Sequence, residues 1–363
     1  MKELLKNLIK AKSTSDTGEL SAAKVLAEYF KAAGLKPEID VWDKNRANLT
    51  VRLKSTGEKE GILLVGHLDV VPAQNEAMFT PSEKAGKIFG RGSCDMKGGL
   101  ACAAAAIVET FKSDIKLKGD IIFSATAGEE TDSSGVQKFI KSFKDKNICG
   151  IIVPEPTDFE LVSAHRGLLW MKIVTKGKSA HSSMPQLGIN AIDSMRIFLN
   201  ELTKFKIPGI NKQLGKASLS VNKICGGSAS NIVPDSCSTQ IDIRTIPGQE
   251  IKNIIADINK IIVRLGKKNP NFQAELEVIR HAGSLQTDEK SMFVKEIKKV
   301  LDIEAKAVAF TTDAPYLTVF NKPIVIFGPG SPGLCHKQNE HIKFKDMVNG
   351  VKYYKKIFAN FLS

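Results

Sequence analysis

Seven residues of this sequence have the types and surroundings to do chemistry: His67, Asp69, Asp95, Glu129, Glu130, Glu155 and His336. They lie in short stretches marked by glycine or proline. These are Gly66-His67-Leu68-Asp69-Val70-Val71-Pro72, Gly90-Arg91-Gly92-Ser93-Cys94-Asp95-Met96-Lys97-Gly98-Gly99, the pair Glu129-Glu130, Pro154-Glu155-Pro156-Thr157, and Gly333-Leu334-Cys335-His336-Lys337-Gln338-Asn339-Glu340. Singly, a histidine usually serves a hydrogen bond and neighbouring acids usually sit in solvent. Together, two histidines and several carboxylates suit zinc, and the acids are too many for one tetrahedral site. Two metals sharing one carboxylate is the simplest solution. Such a pair would activate a bridging water and polarise a carbonyl oxygen, which is hydrolysis.

The elements around these residues must bring them together. Leu20 to Ala33 has helical periodicity, Asn48 to Leu53 alternates, and Gly61 to Val65 is a short apolar run closely followed by His67. Leu100 to Phe111 reads as an alanine-rich helix and Gly119 to Ala125 as another apolar strand. Strands alternating with helices predict a mostly parallel sheet covered on both faces, with chemistry beyond the carboxyl ends of its strands. From about Leu168 to His281 the order becomes strand, helix, strand, strand, helix, strand, the split β-α-β of a ferredoxin-like domain. The expected fold is α/β: a three-layer α/β/α catalytic domain from residues 1–167 and 282–363, with a ferredoxin-like α+β lid and dimerisation domain inserted at 168–281.

Composition narrows the function classes. At 363 residues with 42% hydrophobic and 25% charged residues, the chain suits two globular domains. No apolar run reaches the ~18 residues of a membrane span. The start, Met1 to Lys6, reads as an amphipathic helix lacking the features of a signal peptide, so a cytoplasmic protein is expected. The net charge of +13 comes from 44 Lys and 8 Arg scattered along the chain, without the aromatic interleaving of a nucleic-acid groove. Neither nucleic acid nor membrane is an expected partner. Six dispersed cysteines predict free thiols. Cys94 and Cys335 each precede a ligand candidate, and alternation along extended chain would turn their sulfurs away from it. His165, His281 and His341 carry no assigned role.

The motifs, in this order along nearly the whole chain, resemble the aminoacylase-type zinc metallopeptidases, specifically the acetylornithine deacetylase and succinyl-diaminopimelate desuccinylase family. To the stretches above the resemblance adds Gly177-Lys178-Ser179-Ala180-His181-Ser182-Ser183 and Asp242-Ile243-Arg244. It implies two Zn2+, with Co2+ or Mn2+ as substitutes: His67 and Glu155 on one, Glu130 and His336 on the other, Asp95 bridging. It implies Asp69 bonded to the free imidazole N–H of His67, and a cis peptide between Asp95 and Met96. Glu129, left over beside a ligand, is then the expected general base. By the same resemblance His181 stabilises the oxyanion from within a homodimer formed through the lid, and Arg244 and Asn231 bind the substrate's carboxylate.

The expected reaction is removal of the acyl group from a small N-acyl-L-amino acid. Glu155-Pro156-Thr157 with Ala164-His165-Arg166-Gly167 looks like the acetylornithine deacetylase branch. Desuccinylases typically carry Gly-Gly-Gly-Thr-Ser-Asp where this chain has Thr312-Asp313-Ala314-Pro315. Desuccinylase, dipeptidase or carboxypeptidase activity on the same metal site are the alternatives, and an aminopeptidase would prefer a free α-amine. A non-catalytic binding module would show gaps among the ligands and arrive without zinc.

Overall fold

The computed structural model describes residues 1–363. The chain divides into two units, one of residues 1–164, 286–307 and 312–363, the other of 165–285 and 308–311. It therefore crosses between them four times, where a single insertion at 168–281 would require two crossings. The extra excursion is tied down at Arg166, whose N–H donates to Val308 O at 3.3 Å and whose carbonyl accepts from Thr311 Oγ1 at 2.8 Å.

The larger unit is built on a nine-stranded mixed sheet. Its centre is parallel, in the order Ile121–Thr126, Gly61–His67, Ile148–Val153, Ile324–Ile326. Its flanks are antiparallel: Arg46–Leu53 beside Ile121–Thr126 on one side, Leu161–His165 beside Ile324–Ile326 on the other. The expectation of a mostly parallel sheet thus holds only for the centre. Only three residues join Glu38–Trp42 to Arg46–Leu53, and so short a link permits only an antiparallel hairpin.

Gly61–His67 is buried at all seven positions, as a strand covered on both faces must be. Ile62 and Leu64 join Phe123, Ala125, Leu49 and Val51 in one core, with the helices Lys2–Lys10, Leu20–Ala32, Lys97–Phe111, Met292–Leu301 and Phe344–Leu362. Leu63, Val65 and Ile122 alternate to the opposite face. There, Phe139 and Phe143 of the Ser134–Ser142 region meet Phe320 of a 3-10 segment, with ring centroids 4.9–6.4 Å apart. Helix, sheet and helix make the three layers.

Helix Lys97–Phe111 is buried from Lys97 through Val108, so small residues are needed on every side. At Gly99 a Cβ would lie 1.9 Å from the carbonyl oxygen of Pro154. That approach seats the start of the helix, just after Asp95, against the strand end that carries Glu155.

The smaller unit has an antiparallel sheet in the order Ser218–Gly226, Ser236–Thr245, Gly167–Lys176, Gln273–Ala282. Leu169, Met171, Ile173, Ile241 and Ile243 face its two helices, Ala191–Leu202 and Ile251–Lys268. The element order is ferredoxin-like. Asn190 caps the first helix, its Oδ1 accepting from Ile192 N at 2.9 Å. No helix of the chain is long and apolar enough to cross a membrane.

Candidate metal centre

Three adjacent parallel strands deliver their carboxyl ends to one place, where such sheets hold their sites. His67 is the last residue of Gly61–His67 rather than a residue beyond it, and Glu129 and Glu130 occupy the turn after Ile121–Thr126. Glu155 follows Ile148–Val153. Asp95 precedes helix Lys97–Phe111 across a cis Asp95–Met96 peptide. His336 stands after a 3-10 turn, in left-handed backbone at φ 64°.

The Asp95 carboxylate lies between the two imidazoles. Its Oδ1 is 3.2 Å from Nε2 of His67 and its Oδ2 3.2 Å from Nε2 of His336. Glu155 Oε1 is 3.6 Å from the same nitrogen of His67, and Glu130 Oε1 is 2.8 Å from that of His336. Two half-sites, each with one histidine and one terminal acid, therefore share a carboxylate. Donor atoms of His67, Asp95 and Glu130 lie within 4.8 Å of one another.

Asp69 serves more than one partner. The nearer acceptor for His67 Nδ1 is the Asp69 carbonyl oxygen at 3.0 Å, with the carboxylate at 3.5 Å. The carboxylate also accepts the backbone N–H groups of Glu129 and Glu130, each at 3.0 Å. Backbone amides are common to every residue, so this second task of Asp69 is not legible in sequence.

That same turn is closed by Asn48. Its Nδ2 donates to Gly135 O at 2.8 Å and its Oδ1 accepts from Ala127 N at 3.0 Å, joining the turn's two ends. Arg46 reaches Ser134 Oγ at 3.0 Å and Asp132 at 3.3 Å while paired with the buried Glu19 at 2.9 Å. Gly128, at φ 79°, leaves room for it: a Cβ there would fall 2.3 Å from Arg46 Nη2. None of Asn48, Arg46 or Glu19 stood out in sequence.

Burial, and then the charge of Glu130, pushes the Glu129 carboxyl well above the usual range, with Asp313 and Glu155 adding to it. Burial also raises Glu155 well above its ordinary value, and raises Glu130 with help from Asp95. Asp95 is held low despite burial, through its hydrogen bonds with His336 and His67. The same bond to Asp95, then that to Glu130, lifts His336 to about 10. Acids crowded around two imidazoles, most of them buried, make an anionic cluster. This mixed nitrogen and oxygen set, with one carboxylate common to both halves, fits two divalent cations.

His181, Asn231 and Arg244 belong to the smaller unit. His181 and Asn231 lie on neighbouring exposed segments: His181 bridges Ile232, and Ser182 N donates to Asn231 O at 3.0 Å. Ser183 N donates to His181 Nδ1 at 3.1 Å, and the Ser183 hydroxyl lies 2.7 Å from the same nitrogen. Arg244 holds both oxygens of Asp242, Nε at 2.8 Å and Nη2 at 3.0 Å. Cys94 and Cys335 both turn toward the Ser331 carbonyl, at 3.4 and 3.8 Å. They sit on turns, so strand alternation is not what aims them. All six cysteines are free.

A mixed-sheet α/β protein whose strand ends gather two histidines around a shared carboxylate is, as a class, a dinuclear metallohydrolase. The chain belongs to Peptidase family M20/M25/M40, whose sequence model matches residues 63–360. It is a hydrolase acting on amide bonds. A Staphylococcus aureus protein named probable succinyl-diaminopimelate desuccinylase is 29% identical, covering 95% of this chain and 93% of its own. An acetylornithine deacetylase of Myxococcus xanthus is 27% identical over 96% of this chain and 94% of its own. In fold, the chain is similar to an M20 family metallo-carboxypeptidase of Sulfolobus solfataricus, at a TM-score of 0.82 and 20% identity over 98% of each chain.

Proposed function

We propose that the chain is a two-zinc deacylase of N-acyl-L-amino acids, with N-acetylornithine as its preferred kind of substrate and the cytoplasm as its place of work. The observation that carries the reading is Asp95, whose two oxygens each face a different histidine. In this reading His67 and Glu155 hold one ion, Glu130 and His336 the other, and Asp95 both. Two divalent ions bound there would polarise the scissile carbonyl and make water a nucleophile at neutral pH.

Glu129 moves the proton. Its carboxylate takes a proton from the attacking water and passes it to the departing nitrogen, a task suited to a buried carboxyl raised above its ordinary value. Asp69 holds the Glu129 backbone in place. Nε2–H of His181, supplied by a second copy of the chain, is the oxyanion donor in a homodimer joined through the smaller unit. Asn231 and Arg244 bind the substrate's α-carboxylate, which must compete with Asp242 for the guanidinium fork.

The likeness to the Myxococcus deacetylase supports the deacetylase branch. A second reading, desuccinylase, is supported by the Staphylococcus relative. Initial rates of the zinc-loaded protein on N-acetylornithine and N-succinyl-diaminopimelate, at equal concentration, decide between them. Faster release of ornithine is expected; faster desuccinylation selects the second reading. Hydrolysis of dipeptides alone would reject both in favour of a peptidase, and activity that survives exhaustive chelation would reject the metal chemistry.

A further inference from the structure

A buried ion pair below the metal centre touches three of the segments that carry ligands. Glu340 and Arg91 are each 1% exposed. Their encounter is set by a small sheet in which His341–Lys343 pairs antiparallel with Lys87–Phe89, so that Glu340 and Arg91 emerge side by side from its end. Arg91 Nη1 donates to Glu340 Oε2 at 2.6 Å. Glu340 Oε1 accepts two consecutive amides, Cys94 N at 3.0 Å and Asp95 N at 3.1 Å. Arg91 Nη2 makes longer bonds of 3.4 Å to the carbonyls of Pro72 and His336.

We propose that Glu340, oriented by Arg91, is the positioning residue for the bridging carboxylate: by holding the Cys94 and Asp95 amides it aims Asp95 so that each of its oxygens faces a different histidine. The arrangement repeats what Asp69 does for Glu129 and Glu130, where one buried carboxylate also accepts two consecutive amides. In both places the anion is itself held by a cationic or protonatable side chain, Arg91 for Glu340 and His67 for Asp69. Ligand-bearing turns fixed in this way are preorganised before any ion arrives. Arg91 also ties the bridging residue to the His336 loop, so the bridge and one terminal ligand share a brace.

The proposal rests on the reading of Asp95 as a ligand shared by two ions, and the test separates the two. Full-length protein is stripped with a chelator and titrated with Zn2+ against a chromogenic competitor, and with Co2+ while its d–d absorption is followed. Wild type is compared with Glu340→Gln, which keeps the shape but sets an amide N–H against Arg91 or the backbone donors. It is also compared with Arg91→Lys, which keeps the charge but loses the fork. Glu340→Gln should weaken metal binding about 10- to 100-fold and change the Co2+ spectrum, with kcat falling more than KM rises; Arg91→Lys should do the same less strongly. A purely structural pair would lower the melting temperature of the metal-free protein and leave both metal affinity and spectrum as in wild type, which would overturn the proposal. If Glu340→Gln does not fold, Arg91→Lys decides: wild-type affinity and spectrum overturn it, weakened binding supports it. If wild type takes up fewer than two equivalents, the shared-ligand reading fails, and the positioning claim is then judged on whether the remaining ion is weakened in the variants.

Discussion

His67 ends a strand buried along its whole length, and its side chain is 2% exposed; His336, facing the other oxygen of the same carboxylate, is 51% exposed on a short turn in left-handed backbone. The terminal acids differ in support as well. Glu155 stands two residues past the end of a largely buried strand, whereas Glu130 sits on a turn held by the Asp69 carboxylate and the Asn48 amide. One half of the centre is a by-product of packing the sheet. The other is assembled from side chains that tie turns to the scaffold. The difference teaches that equal ligand sets need not be equally fixed: the first half cannot move without unpacking the core, and the second can adjust at His336.

The largest effect should come from the residue in neither half. Glu129→Gln should keep two equivalents of zinc and lose about 10²- to 10⁴-fold in kcat. Metal analysis and single-turnover kinetics on the same sample check this. Loss of an ion would make Glu129 part of a half-site and remove the comparison's premise.

The two histidines test the comparison directly. His67→Ala leaves Asp95 and Glu155 facing a buried void, and breaking a buried charged pair costs about 3–5 kcal/mol. His336→Ala removes a half-exposed side chain but leaves the buried Glu130 and Asp95 carboxylates without it, so a smaller loss of about 1–3 kcal/mol is expected. Thermal melting of the metal-free proteins reads the order. Equal losses, or a larger one at His336, would mean that exposure does not separate the halves. Each variant should also bind one ion markedly more weakly.

How far the sequence foretells this arrangement follows from the same physics. The central strands announce themselves as apolar runs because both faces are buried, and His67, Asp95, Glu130, Glu155 and His336 draw notice because ligand-type residues recur next to glycine and proline. The edge strand Glu38–Trp42 escapes, since no residue in it is buried and no alternation results. The roles of Asn48, and of Arg91 and Glu340 within the quoted stretches, escape for another reason. They act on backbone amides and carbonyls, which every residue has, and Arg91 meets Glu340 across 249 positions of chain. Asp313 reads in sequence only as a branch marker, yet it lies buried where its charge raises Glu129 and Glu155. For Cys94 and Cys335, alternation along extended chain is the expected reason their sulfurs turn from the ligands, whereas the structure has turns there.

Asn48→Ala sharpens the claim that the Glu130 half is assembled by side chains. It strands the Ala127 amide and the Gly135 carbonyl, for about 1–3 kcal/mol of stability. If the turn positions Glu129 and Glu130, kcat should fall about tenfold with KM little changed, because catalytic geometry rather than substrate binding is disturbed. A stability loss with wild-type kcat would reduce Asn48 to a packing role.

The smallest effect concerns Glu19, the buried partner of Arg46 behind the same turn. Burial first, then the nearby charge of Asp69, raises its carboxyl to about 7 against the pull of Arg46. A carboxyl raised on folding reverses the usual sign: between its ordinary value of 4.5 and about 7 the folded chain binds more protons than the unfolded one. Its contribution to stability is therefore full below that window and declines as pH rises through 7. Glu19→Gln keeps a hydrogen-bond acceptor for Arg46 and removes the charge, so the difference in melting temperature between variant and wild type should grow in the variant's favour from pH 5 to pH 8. Because the comparison is a difference between two proteins alike at every other group, other titrations cancel. A difference that stays flat, or moves toward wild type with rising pH, would show that Arg46 holds Glu19 ionised at little cost and that the brace behind the turn is an ordinary ion pair.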